Sequence, residues 1–243
     1  MIFTTSLGII VRDKENVSAG RWLNTMKEAA VRNGKASRGN FIAFEGIDGS
    51  GKSTQIALLA NRLYKEGICC YTTKEPTNSP IGSLIHQIMT GRIRTDNRAI
   101  AGLFVADRLD HLLNEVDGIV PKINEGTTVI TDRYYFSSYA YHSVDMPMEW
   151  VIRANEQSSA ILRPTITIFI DVNPDTALER IAKNRFHQEL FEEKSRLIKV
   201  RENYLKAFEL LKKEEKYVII DGDQSQESIA EAVWDTVKGY FNL

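Results

Sequence analysis

A chain of 243 residues suits one domain of ordinary size, or one domain with an appendage. Its composition, 43% hydrophobic and 26% charged, fits a soluble globular enzyme and excludes a disordered or fibrous chain. A formal net charge of −1 provides no global basic field to hold nucleic acid or an anionic membrane. No apolar run approaches the ~20 residues that span a bilayer.

Residues 1–38 carry no clear strand–helix unit joined to the pattern of the core. They read as an N-terminal extension outside the core, with Arg21–Val31 able to form an amphipathic helix. Asp13, Glu15 and Glu28 argue against an organellar transit peptide. The first strand is predicted at Phe41–Glu45, and it breaks into Gly46-Ile47-Asp48-Gly49-Ser50-Gly51-Lys52-Ser53-Thr54. This is the P-loop pattern, a glycine-rich turn between a buried strand and a helix, here predicted over Gln55–Glu66. Glycines let the backbone curl around a phosphate, and the loop amides and helix N-terminus face the anion. The nine residues Gly46, Ile47, Asp48, Gly49, Ser50, Gly51, Lys52, Ser53 and Thr54 are therefore expected to bind ATP. Lys52 supplies a point charge at the β/γ-phosphates, and Ser53 a hydroxyl ligand for Mg²⁺.

Cys69–Lys74 is the second predicted strand, and its adjacent cysteines, the only two, read as reduced core thiols of a cytosolic protein. A helix over Pro80–Met89 opens with proline and ends near Gly91. The next, Arg98–Val116, has apolar residues at Leu103, Phe104, Leu109, Leu112 and Leu113 and reads as mostly buried. Phe104 and Arg108 lie four apart on it and share a face, an aromatic ring to stack on a base beside a donor to a base carbonyl. Strand Thr128–Thr131 leads into Asp132-Arg133 at the carboxyl end, where ligands of open α/β sheets bind. A carboxylate there suits Mg²⁺-bound water, and an arginine suits a forked grip on phosphate. Helix Met148–Leu162, strand Thr165–Val172 and helix Pro174–Ala182 come next. Arg180, Lys183 and Arg185 then stand just before the non-periodic stretch Phe186–Phe191, and the region near 183–192 reads as a basic lid. Helix Phe191–Glu214, strand Tyr217–Asp221 and helix Ser225–Tyr240 close the chain. The four histidines show no metal-ligand spacing and read as structural or surface residues. The alternation predicts an α/β fold, a P-loop NTPase-type five-stranded parallel sheet with helices on both faces.

Several motifs, in order, resemble the thymidylate kinase family from Asn40 to the C-terminus: Phe44–Gln55, Lys74-Glu75-Pro76, Leu103–Arg108, Asp132-Arg133-Tyr134, Ser137-Ser138 with Ala140-Tyr141, Phe169–Val172 and Val200–Leu205. The resemblance implies the nucleoside monophosphate kinase architecture over residues 39–243 and ATP-dependent phosphorylation of dTMP to dTDP for dTTP supply. It implies Lys52, Arg133, Arg185 and Asp48 as catalytic residues. Asp48, Phe104, Arg108, Arg133, Ser137, Ser138 and Tyr141 would bind dTMP, and Ser53 and Asp132 would hold Mg²⁺. Tyr141 would crowd a ribose 2′-hydroxyl. A cytoplasmic homodimer is implied, with the Arg98–Val116 helix as a reasonable contact element. Gly49 stands where some members carry a P-loop arginine, so the chain would rely on its lid, as bacterial-type members do. Departures fall at Thr77-Asn78-Ser79, where the family is glycine-rich, and at Glu189-Leu190 in the lid. Read from its residues alone, the chain leaves open a kinase for dUMP, UMP/CMP or thymidine, or a non-catalytic ATP-binding module.

Overall fold

The computed structural model describes residues 38–184, 194–241 and 243, with the backbone alone at 183 and 184. Apart from Arg38, the expected extension lies outside the described residues, and so do Arg185 and nearly all of the expected lid.

Five parallel strands form one sheet in the order β2-β3-β1-β4-β5, with β1 Phe41–Glu45, β2 Cys70–Lys74, β3 Thr128–Asp132, β4 Ile166–Asp171 and β5 Tyr217–Asp221. Strand β1 is buried throughout, as a central strand covered on both faces must be. Helix α1 (Lys52–Lys65) packs on β1, β2 and β3 and against the C-terminal α10 (Gln226–Val237). Between β2 and β3 run α2 (Pro80–Met89), α3 (Asn97–Leu113) and α4 (Ile119–Asn124). Between β3 and β4 run α5 (Tyr135–His142), α6 (Met148–Ala154) and α7 (Glu156–Ile161). Helices α8 (Pro174–Asn184) and α9 (Lys194–Leu211) precede β5, and α9 packs along α5. The aromatic rings of Phe136 and Phe208 stack at 4.4 Å between α5 and α9, and Phe169 of β4 closes the cluster at 5.2 Å from Phe208. Burying each such ring stabilises the fold by roughly 1.5–3 kcal/mol, which fixes α9 on α5.

All five strands stand where the periodicity places them, within one residue at their ends. The helices need four corrections. The expected Met148–Leu162 helix is two, because Asn155 interrupts it: its side chain is buried and donates to the Val151 carbonyl at 2.9 Å. Helix α3 stops at Leu113, where Asn114 leaves helical geometry (ψ 126°), and it is not buried along its length: Leu113 is 52% exposed and Val116 beyond it 90%. Helices α4 and α5 had no counterpart in the prediction. The cysteines are free, but Cys69 is exposed and Cys70 half-buried, so neither is a core thiol.

The sheet order decides where function can sit. Placing β3 beside β1 aligns Phe44 with Asp132, so the segments leaving both strands emerge side by side at the carboxyl edge.

Candidate functional site

A cleft of about 670 Å³ opens at that edge. Residues Asp48 to Gln55 line it, together with Phe104, Arg108, Ser138, Tyr141 and His142 and with Arg180, Gln224, Gln226 and Ile229. Most of the residues singled out from the sequence meet here.

The phosphate loop is shaped by backbone that only glycine adopts easily. Gly51 is left-handed (φ 94°) immediately before α1. Gly49 is left-handed too (φ 79°), and a Cβ there would lie 2.4 Å from the Ala177 carbonyl oxygen. That clash explains why no side chain occupies this place in the loop. Lys52 opens α1 and folds back over the loop, its Nζ donating to the carbonyls of Gly46 (3.0 Å) and Ile47 (3.1 Å). It is 6% exposed, and burial, aided by the nearby Arg133 charge, pushes its pKa down to about 8.

The Ser53 hydroxyl donates to Asp132 Oδ2 at 2.8 Å, joining the P-loop helix to the end of β3. The other carboxylate oxygen, Asp132 Oδ1, is buried and has no hydrogen-bond partner. A hydroxyl and a carboxylate with an unused oxygen are hard oxygen donors of the kind Mg²⁺ takes. Among the described residues no group of three or more histidine, cysteine, aspartate or glutamate side chains could hold a metal ion alone. A cation held by Ser53 and Asp132 would complete its shell with other oxygen ligands such as water.

Arg133 has the only positive φ among the described non-glycine residues, 76°. A left-handed arginine costs on the order of 1–3 kcal/mol and persists only where its surroundings impose it. Here its N–H donates to the Phe44 carbonyl at 2.8 Å, and the Thr131 hydroxyl donates to its carbonyl at 2.9 Å. The strain aims the guanidinium across the mouth of the P-loop. Nη2 donates to Asp48 Oδ1 at 2.5 Å and to the Tyr141 hydroxyl at 3.1 Å, and Nη1 donates to Ser137 Oγ at 3.1 Å. Tyr141 lies under the guanidinium at 4.8 Å and donates its own proton to Asp48 Oδ2 at 3.0 Å. Asp48, Arg133, Ser137 and Tyr141 thus form one connected cluster. Glu45, which the sequence reading left without a role, anchors it from below. Its carboxylate accepts from the Tyr134 amide (2.8 Å), the Ser137 hydroxyl (2.6 Å) and the Tyr204 hydroxyl (2.9 Å).

Phe104 is half-buried and meets the His142 ring edge-on at 5.1 Å. Burial pushes the His142 pKa down to about 4, so the ring is neutral at pH 7 and extends the apolar wall. Arg108 departs from the expectation of a donor standing free for a base. Its side chain is fully buried and makes four hydrogen bonds to protein acceptors, beside an ion-pair contact to Glu75. Nε and Nη2 reach Glu75, Nη2 also donates to the Tyr134 carbonyl at 3.1 Å, and Nη1 donates to Ser138 Oγ at 3.0 Å and to Asn155 Oδ1. Glu75 and Asn155 escaped the sequence reading. Glu75 stands inside the quoted Lys-Glu-Pro motif, whereas Asn155 looks like an ordinary position on a helix. Arg180 donates to the Gly222 carbonyl at 3.0 Å beside the cleft. Arg185 lies outside the described residues.

The family model for thymidylate kinase matches residues 44–233. A protein of Pyrobaculum calidifontis described as a probable thymidylate kinase is 40% identical over 194 residues, covering 79% of this chain and 93% of its own length. The thymidylate kinase of Acholeplasma laidlawii is 36% identical over 204 residues, with 81% of this chain and 98% of that one covered. That of a Bradyrhizobium strain is 33% identical over 219 residues, covering 88% and 95%.

Proposed function

This chain belongs to the thymidylate kinase family and phosphorylates dTMP to dTDP with ATP, and we propose that the cleft does so by holding the two nucleotides phosphate to phosphate. The observation that carries this reading is the Arg133–Asp48 pair at 2.5 Å. It ties the group suited to grip an acceptor phosphate to the loop suited to cradle the donor's. In the proposal the P-loop amides and Lys52 take the ATP phosphates. Arg133 leaves Asp48 to clamp the dTMP phosphate, and Asp48 turns to the deoxyribose hydroxyl. The attacking phosphate oxygen is already anionic, so no strong general base is needed. Catalysis consists of alignment and of stabilising negative charge in a cleft that excludes water. Ser53 and Asp132 would hold Mg²⁺, which when bound neutralises charge spread over the phosphates.

Thymine would stack on Phe104, with Tyr141 closing the space a ribose 2′-hydroxyl needs. One Nη1 hydrogen bond of Arg108 passes from Ser138 to the thymine O4 carbonyl, and the released Ser138 hydroxyl accepts from N3–H. Cytosine presents an amino donor at that carbon and is disfavoured by the guanidinium. We place the kinase domain at residues 39–243, with Arg185, backed by Arg180 and Lys183, as the lid cation and 1–38 outside it. The free thiols support a reducing, cytoplasmic compartment. No helix among the described residues is long and apolar enough to cross a membrane. For assembly we propose a homodimer along α3, whose outer side carries exposed Gly102, Ala106 and Leu113 with half-buried Val105 and Leu109. Spacings of four, three and four make this one stripe, and its small residues allow a second helix to approach closely.

An ADP-release assay across dTMP, dUMP, UMP, CMP and thymidine tests the reading. It expects dTMP to lead in kcat/KM, dUMP to come second, and CMP and thymidine to trail by at least about a hundredfold. Faster turnover of thymidine or CMP than of dTMP would refute it.

A further inference from the structure

Behind Arg108 stands a relay that the binding of two nucleotides does not itself require. Glu75 spends Oε2 on the guanidinium, at 2.8 Å from Nε and 2.6 Å from Nη2. Its Oε1 faces His111 Nδ1 at 3.2 Å, and His111 Nε2 lies 2.7 Å from the Thr73 hydroxyl. The Glu75 and His111 side chains are 2% and 6% exposed, so water does not substitute for either partner. One tautomer suits every atom: Nδ1–H donates to Glu75, and Nε2 accepts from Thr73. Thr73 is a backbone-anchored end point, since β2 pairs with β3 at the Thr73–Thr131 step. The relay therefore runs from the sheet edge through the ring and the carboxylate to the guanidinium.

Without the ring, Glu75 Oε1 would be a buried carboxylate oxygen with one donor fewer, and the carboxylate would turn to find another. The Nε hydrogen bond and the Nη2 ion-pair contact, both made to Oε2, would turn with it. We propose that His111 is a positioning residue for the acceptor base: acting through Glu75, it fixes Arg108 where thymine is read. This rests on the reading of Arg108 as the thymine contact, and it adds a residue that never touches the nucleotide.

Steady-state kinetics of His111→Ala, His111→Asn and Thr73→Val, with ATP and dTMP each varied and thermal melts in parallel, test it. Loss of the ring should raise KM for dTMP about tenfold or more, the scale of losing a group that orients a binding residue. KM for ATP should stay within about twofold, because the P-loop is untouched. Asparagine places an N–H near the Nδ1 position and should restore most of the dTMP affinity. Thr73→Val should move KM for dTMP the same way by about threefold, and it serves if His111→Ala does not fold. An unchanged KM for dTMP in His111→Ala, or in Thr73→Val where alanine fails to fold, would overturn the proposal. So would KM values for ATP and dTMP that rise together with no rescue by asparagine, since the ring would then serve only the fold. A wild-type protein with no preference for dTMP in the acceptor panel would instead overturn the reading of Arg108, whatever the variants do.

Discussion

Lys52→Met should abolish turnover yet leave a protein that is no less stable than the parent at pH 7. The lysine is enclosed, and two loop carbonyls hold its ammonium. Its pKa of about 8 lies below the ordinary lysine value of 10.5, so the folded chain binds this proton less tightly than the unfolded chain does. The resulting penalty on folding is fully present below pH 8, shrinks between pH 8 and 10.5, and is gone above. Its scale is on the order of 3 kcal/mol. Methionine keeps the length of the stem without the charge, so melting at pH 7 should rise by a few degrees, with the gain fading above pH 10. Turnover should fall by at least about a hundredfold, the cost of removing one preorganised donor from developing negative charge. The same titration predicts that the parent's ATP affinity is flat below pH 8 and declines above it, up to about tenfold per pH unit, as binding begins to require uptake of a proton. Isothermal titration between pH 6.5 and 9.5 measures this. Full activity in the variant, or ATP affinity that improves with rising pH, would contradict the account.

Arg133→Ala should cost the dTMP side what Lys52→Met costs the ATP side. Two charge-assisted hydrogen bonds to a phosphate contribute roughly 3–5 kcal/mol, a loss of about 10²–10⁴-fold in kcat/KM for dTMP. Arg133→Lys keeps a charge but not the fork, and it should recover less than a tenth of the parent value. ATP binding in both variants should hold within a few-fold. Asp48 keeps the Tyr141 hydroxyl as a donor, so the P-loop does not lose its shape. The backbone adds a further expectation. Arg133→Gly relieves the left-handed strain at φ 76° and should melt no lower than Arg133→Ala, by up to about 1 kcal/mol in its favour, while being equally inactive. Kinetics with dTMP varied at saturating ATP, alongside melts, check all three.

The framework was legible because its signals are local. Strand β1 is a run of five apolar or buried residues that stops at a glycine turn, and α10 begins at a serine whose hydroxyl caps the Ser228 amide at 3.2 Å. The parallel order then brings Asp132 beside Phe44, and the P-loop, Arg133 and Phe104 line one cleft. What stayed hidden depends on burial in three dimensions. Helix α5 is buried on every side, so Tyr135–His142 shows no polar face and no helical stripe. Helix α4 contains Pro121, which reads as a breaker, although proline is tolerated in a first turn. Asn155, at the junction of two helices, accepts from Arg108, a residue distant in the chain. The helix spacing leads to the expectation of Arg108 as a donor to a base, but its partners Glu75, Asn155 and Tyr134 come from three other segments, and no spacing rule joins them.

The central claim is that one cleft holds both nucleotides with their phosphates in contact over Lys52 and Arg133. A bisubstrate compound, adenosine and thymidine joined through their 5′ oxygens by a chain of phosphates, measures this directly. The account predicts one compound bound per chain, competition with both ATP and dTMP, and affinity lost in both Lys52→Met and Arg133→Ala. Binding that competes with only one of the two substrates, or two compounds bound per chain, would contradict it.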